Sequence, residues 1–153
     1  MTLWVSYKKF TLWASCIILL AQCGTPAYAE FKPLTRSEPV VRMVLQESNN
    51  EPFYGMVAVA GTAFDRRSDD RWPNTVKDVV YQPWQYEGMS IKLKNYSISD
   101  IELARTARRV ASEGVRPCGK VTHFHATYIE RPTTWPKKYK LVCQIGNHKF
   151  YGD

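Results

Sequence analysis

The chain has 153 residues, of which 44% are hydrophobic and 23% charged. That balance excludes a disordered or coiled-coil chain, and the length excludes two independently cored domains. Lys and Arg number 21 against 14 Asp and Glu, a net charge of +7. A basic surface of this size suits anionic polymers such as nucleic acid, acidic lipids or envelope polymers, and selects none of them.

Residues 1–29 read as a removable secretory signal. Lys8 and Lys9 precede the apolar run Phe10–Ala21, and Gly24, Pro26 and Ala27-Tyr28-Ala29 supply a cleavage region with small residues at its key positions. The apolar run is about a dozen residues, short of the roughly 20 that a spanning helix needs. An uncleaved anchor and lipidation at Cys23 are the alternatives. Cleavage after Ala29 predicts an exported protein of the periplasm, envelope or exterior, with a mature charge of +5 once Lys8 and Lys9 leave. The mature chain keeps two cysteines, Cys118 and Cys143. In an oxidising compartment their simplest state is one disulfide; two buried free thiols are the alternative.

Residues 30–39 read as a polar, proline-containing lead-in, and residues 40–153 as a single domain. Val40–Glu47 has helical apolar spacing, ended by Asn49-Asn50 and Pro52. A second helix is predicted from about Pro52 through Phe64, its Gly55, Ala58, Ala60, Gly61 and Ala63 permitting close packing. Val76–Tyr81 follows as a short helix, and Gln82–Ser97 as a loop over a groove. Ser99-Asp100-Ile101-Glu102 reads as a capping box opening a helix to Ser112, which buries Ile101, Ala104, Ala107, Val110 and Ala111 and stops at Gly114. Val121–Ile129 and Tyr139–Ile145 are rich in β-branched and aromatic residues and predict two strands. The fold class is α+β, a helical front half with a short β-rich C-terminal tail.

Glu47, at the end of an apolar helix, is the first candidate for chemistry, because a partly desolvated carboxyl can hold a proton near neutrality and act as an acid. Glu51 and Asp65 are the other candidate carboxylates. His123 and His125 share a face of an extended segment, and with His148 they could offer a three-histidine zinc site. A bare H-x-H spacing is too little to call one, so no metal and no cofactor are expected.

These residues also follow a recognisable order. Glu47, Glu51-Pro52, Gly55–Ala60, Asp65-Arg66, Trp72-Pro73-Asn74-Thr75-Val76, Asp78–Tyr81, Gln85-Tyr86, Thr122–Ala126, Pro132, Trp135 and Ile145–Tyr151 resemble the SleB/CwlJ-type cell wall hydrolases. The resemblance covers nearly the whole mature chain. It implies a small lysozyme-like domain, related to lytic transglycosylases, acting on peptidoglycan glycan strands. The family's E-A-R-G-E motif reads Glu47-Ser48-Asn49-Asn50-Glu51 here, and its Asn-Arg pair reads Asp65-Arg66, with Arg66 expected to pair with Asp65. The resemblance implies Glu47 as general acid and then base, with Gln85, Tyr86, His125 and Trp135 as substrate-binding residues. The expected partner is peptidoglycan, with no nucleic acid and no stable membrane insertion after signal cleavage, and the protein is expected to be a monomer. Two alternatives remain: a hydrolytic muramidase using Glu51 or Asp65 as second carboxylate, and a non-catalytic peptidoglycan-binding module of the same fold.

Overall fold

The structure is a computed structural model that describes residues 33–35, 38–86, 89 and 96–153. The signal, Cys16, Cys23 and part of the Gln82–Ser97 loop lie outside the described residues. Four helices come first: α1 (Pro39–Ser48), α2 (Phe53–Arg67), α3 (Val76–Tyr81) and α4 (Ile98–Ser112). Three strands follow, β1 (His123–Ala126), β2 (Lys140–Ile145) and β3 (His148–Gly152), in an antiparallel sheet of order β1-β3-β2. This is the α+β arrangement that the sequence predicts.

The core lies between the helices. α1 contributes Val40, Val41, Met43, Val44 and Leu45, and α2 contributes a run from Met56 to Ala60, all buried. α2 packs against α1, α3 and α4, so its face is apolar almost all round. α4 answers with Ala104, Ala107 and Ala111, small residues that let the two helices approach closely. Val110, expected in the core, is only half-buried and packs at its edge.

Two sequence expectations are corrected here. The capping box of α4 is Ser97 with Asp100, not Ser99 with Glu102: Ser97 Oγ accepts the Asp100 amide and the Asp100 carboxylate accepts the Ser97 amide. Both serines stand three residues before an acid, and spacing alone could not choose between them. The tail also has three strands rather than two. β2 and β3 form a hairpin whose two-residue turn is Gly146-Asn147, with Gly146 at φ 56°. Gly-Asn is itself a hairpin signal, which the five-residue length of β3 obscured.

The sheet is tied to the helices at named points. Phe150 is buried in the helical core, and Phe124 and Ile145 pack against it. The Asp65 carboxylate at the end of α2 accepts the Val121 amide at 3.0 Å, and Arg66 Nε donates to the Thr122 carbonyl at 2.7 Å. A Cys118–Cys143 disulfide, with Cα atoms 5.6 Å apart, joins the segment after α4 to edge strand β2.

Candidate active site

Glu47 stands on the last turn of α1, where burial of Val44 and Leu45 on the same helix leaves its side chain half-buried at the core margin. The turn is closed below it: Ser48 Oγ donates back to the Val44 carbonyl at 2.8 Å, and the Glu51 amide donates to Ser48 at 3.0 Å. The helix therefore ends without fraying, and Glu47 is presented from a fixed backbone.

Arg66 faces this carboxylate electrostatically. Only 4% of the residue is exposed, and its guanidinium lies 4.2 Å from the Trp72 ring centroid and 4.8 Å from that of Tyr86. Burial pushes the guanidinium down from the usual arginine value, and Glu47 is among the groups that oppose that shift. Its Nη1 is buried with no hydrogen-bond partner among the described residues. The ring of Tyr86 is buried and its hydroxyl donates to Thr62 Oγ1 at 3.1 Å, since that threonine already donates to the Val59 carbonyl. Burial raises the Tyr86 phenol, Arg66 opposes, and Glu47 raises it further. Tyr96 is raised by burial, with Asp100 and Glu47 adding to it. A carboxylate, a buried cation and two phenols thus share one neighbourhood.

The sheet brings a second cluster to Arg66 through Trp72. His123 lies 5.7 Å from Trp72, 4.8 Å from Trp135 and 4.2 Å from Tyr139, ring centroid to centroid. Its imidazole is pushed down to about 4, first by burial and then by the positive charges of Arg66 and Arg71. His125 stacks on Tyr151 at 5.3 Å and meets Trp135 edge-on at 5.8 Å. Its Nδ1 donates to the Ala126 carbonyl at 2.8 Å, which leaves Nε2 to accept from the Tyr151 hydroxyl at 3.0 Å. Tyr86 reaches the same sheet through Phe124, 6.3 Å away. Among the sequence candidates, then, Glu47 and Tyr86 share one neighbourhood, and His125 and Trp135 share the adjoining one. Gln85 sits half-buried in the loop before Tyr86, its backbone amide donating to the Gln82 carbonyl at 3.4 Å.

Glu51 and Asp65 are both occupied elsewhere. The Glu51 side chain is 6% exposed; its Oε2 accepts the Asn147 amide at 2.8 Å and its Oε1 lies 3.7 Å from His148 Nδ1. It clasps the β2–β3 turn. Asp65 spends one oxygen on Arg116 Nε at 2.7 Å and the other on the Val121 amide. This corrects the expected Asp65–Arg66 pair: adjacent residues on a helix point about 100° apart, and Arg66 turns instead onto the aromatic rings. His148 engages Glu51 and Phe124, and among the described residues no three metal-ligating side chains converge.

Sequence reasoning missed Arg66 as a neighbour of Glu47, although an arginine closing an apolar helix amid aromatics was a signal. Trp84, whose proline and polar neighbours in the sequence suit an aromatic that stacks on sugar rings, is 97% exposed beside Gln85 with φ 66°, a left-handed backbone uncommon for a bulky residue.

Residues 50–151 match the family model described as Cell Wall Hydrolase. The chain belongs to the cell wall hydrolase family. The matched span opens just after Glu47 and includes Glu51, Asp65-Arg66 and all of the sheet but Gly152. A spore cortex-lytic enzyme of Bacillus cereus is 30% identical over 111 residues, covering 70% of this chain. The chain spans only 40% of that relative's length. Among solved structures, the catalytic domain of the Bacillus cereus SleB protein matches with TM-score 0.64 at 23% identity, over 84% of this chain and all of that domain. The catalytic domain of the germination-specific lytic transglycosylase SleB from Bacillus anthracis matches with TM-score 0.61 at 26% identity, over 79% of this chain and all of that one. The cell wall hydrolase fold therefore accounts for the helices and the sheet together.

Proposed function

We propose that the protein cleaves the glycan strands of peptidoglycan as a lytic transglycosylase, with Glu47 as its single acid and base. The observation that carries this reading is the electrostatic setting of Glu47, half-buried and coupled to Arg66 and Tyr86. Glu47 acts electrostatically on both Arg66 and Tyr86, and the two other carboxylates, Glu51 and Asp65, hold backbone amides together with His148 or Arg116. A hydrolytic muramidase with a second carboxylate would have to release one of them from its structural role.

In the proposed cycle Glu47 gives its proton to the bridging oxygen between N-acetylmuramic acid and N-acetylglucosamine. The bond from the muramic C1 to that oxygen breaks, leaving an oxocarbenium-like centre and a Glu47 carboxylate. The carboxylate takes the proton of the muramic C6 hydroxyl, whose oxygen closes onto C1. Glu47 ends protonated and the product carries a 1,6-anhydro ring. The positive charge of Arg66 favours the carboxylate formed midway. Tyr86, His125, Trp135 and Gln85 line the sugar path, and exposed Trp84 offers a flat face for stacking. The name of the Bacillus anthracis neighbour, a lytic transglycosylase, supports the same class. With the signal removed, the mature protein, residues 30–153, would act in the periplasm, the cell envelope or outside the cell, and we propose that it does so as a monomer.

Glu47→Gln keeps the shape and cannot transfer the proton, so the variant is expected to fold and to lose clearing of purified sacculi. The wild type should release unreduced muropeptides ending in 1,6-anhydro-N-acetylmuramic acid, one water lighter than hydrolytic products by mass spectrometry. Predominantly reducing-end products would transfer the assignment to a hydrolytic muramidase. Binding to sacculi without cleavage would leave the non-catalytic module.

A further inference from the structure

At the end of α1 away from Glu47, the helices leave a cavity of about 660 Å³. Its floor is apolar, built from Val40, Phe64 and Val76, and its rim carries Arg67, Arg105, Arg108 and Arg109. Among the described residues Glu38 is the one carboxylate that lines it. Arg105 neutralises Glu38 through two bonds of 2.8 and 2.9 Å, and also reaches Glu102. Arg109 leans on Glu113 at 3.1 Å. Arg67 and Arg108 are exposed and make no hydrogen bond or ion pair among the described residues. Two guanidinium groups therefore border a concave apolar floor, Arg67 in no ion pair among the described residues and Arg108 sharing Glu38 only at longer range with Arg105.

We infer that this cavity binds the free carboxylates of the short peptides that branch from muramic acid, away from the bond being cut. The inference rests on the peptidoglycan reading above and names a part of the substrate that the site around Glu47 does not address. Guanidinium groups pair with carboxylates in a two-pronged geometry, and an apolar floor accepts the methyl groups of alanyl residues beside them. The distances agree. Glu47 stands six residues beyond Val41, which is roughly 9 Å along a helix axis. An extended peptide of about four residues reaches roughly 13 Å, so a stem leaving the sugar near Glu47 can arrive at the arginines. Gripping the stem would position the glycan lengthwise and favour peptide-bearing strands over bare ones.

The test titrates the intact mature protein calorimetrically with a muramyl tetrapeptide bearing free carboxylates and with its fully amidated form. The free acid should bind and the amide should bind about ten-fold more weakly, the loss of one charge-assisted contact. Arg67→Gln with Arg108→Gln should impose a similar loss, whereas Lys137→Gln with Lys140→Gln, which removes equal charge on the sheet side, should not. Equal binding of acid and amide overturns the proposal, as does an equal loss in the lysine control. Inorganic phosphate competing as well as the peptide would make the cavity a general anion site and overturn it too. In parallel, the KM ratio of the arginine variant to wild type should be larger on intact sacculi than on glycan stripped of its peptides by an amidase. A wild type that cuts neither substrate refutes the glycosidase reading, while the peptide titration still decides the cavity.

Discussion

His123 is enclosed by Trp72, Trp135 and Tyr139, and its Nδ1 faces Thr122 Oγ1 at 2.9 Å. A ring in that box is costly to charge, and Arg66 and Arg71 add repulsion, which is why its pKa falls from 6.5 to about 4. In the unfolded chain the same ring takes up a proton near its ordinary value. Between those two values the unfolded state binds more protons, so stability must fall as the pH drops from about 6.5 toward 4. The shift corresponds to a loss on the order of 3 kcal/mol. His148, also pushed down by burial, contributes in the same direction. Thermal melts near pH 7.5 and pH 4.5 should show a clear drop in Tm for the wild type and a smaller one for His123→Phe, which fills the box without titrating. An equal drop in both would assign the acid sensitivity to other groups.

The β2–β3 hairpin shows how far one element depends on a single turn. Gly146 has φ 56°, and a Cβ built there falls on the Glu51 carboxylate and 2.7 Å from Pro52 Cδ. Gly146→Ala therefore strains the backbone and displaces the clasp from the Asn147 amide, together costing roughly 3 kcal/mol. Urea unfolding monitored by tryptophan fluorescence should give a midpoint lowered by that loss divided by the m-value, on the order of 1–3 M; an unchanged midpoint would refute the clasp. The same elements show what the sequence could tell. The sequence located α1, α2 and α3 to within a few residues, α1 and α2 because each buries a wide apolar face that survives in the residue pattern. The pairing of charged residues was not legible. Asp65 reaches Arg116, 51 residues away in sequence, and Glu51 reaches Asn147, 96 away. Local adjacency suggested Arg66 for the first and nothing for the second. The Glu47–Arg66 neighbourhood was hidden for the same reason, since it joins the ends of two separate helices.

At the scale of the whole molecule, the helical half and the sheet are held by fastenings gathered at the two ends of α2. Glu51, just before α2, takes the β2–β3 turn; Asp65 and Arg66, in its last turn, take the backbone of Val121 and Thr122. The Cys118–Cys143 bridge is separate, closing a 25-residue loop through edge strand β2. Closing such a loop restricts the unfolded chain and stabilises the fold by about 3 kcal/mol, which for a domain of this size is roughly 10 °C in Tm. The bridge is anchored on β2, and His123 and His125 lie on β1, the far edge of the sheet from β2. Reduction should therefore loosen β2 first and leave the neighbourhood of Glu47 held by its hydrogen bonds. Melting the protein with and without dithiothreitol should reveal the loss in Tm, and non-reducing peptide mapping should find the two cysteine peptides joined beforehand. Clearing of sacculi at 25 °C, well below either melt, is expected to persist after reduction. If clearing vanished while the reduced protein stayed folded, the bridge would be holding the sugar path itself through β2, and the fastenings on α2 would not suffice to position the sheet.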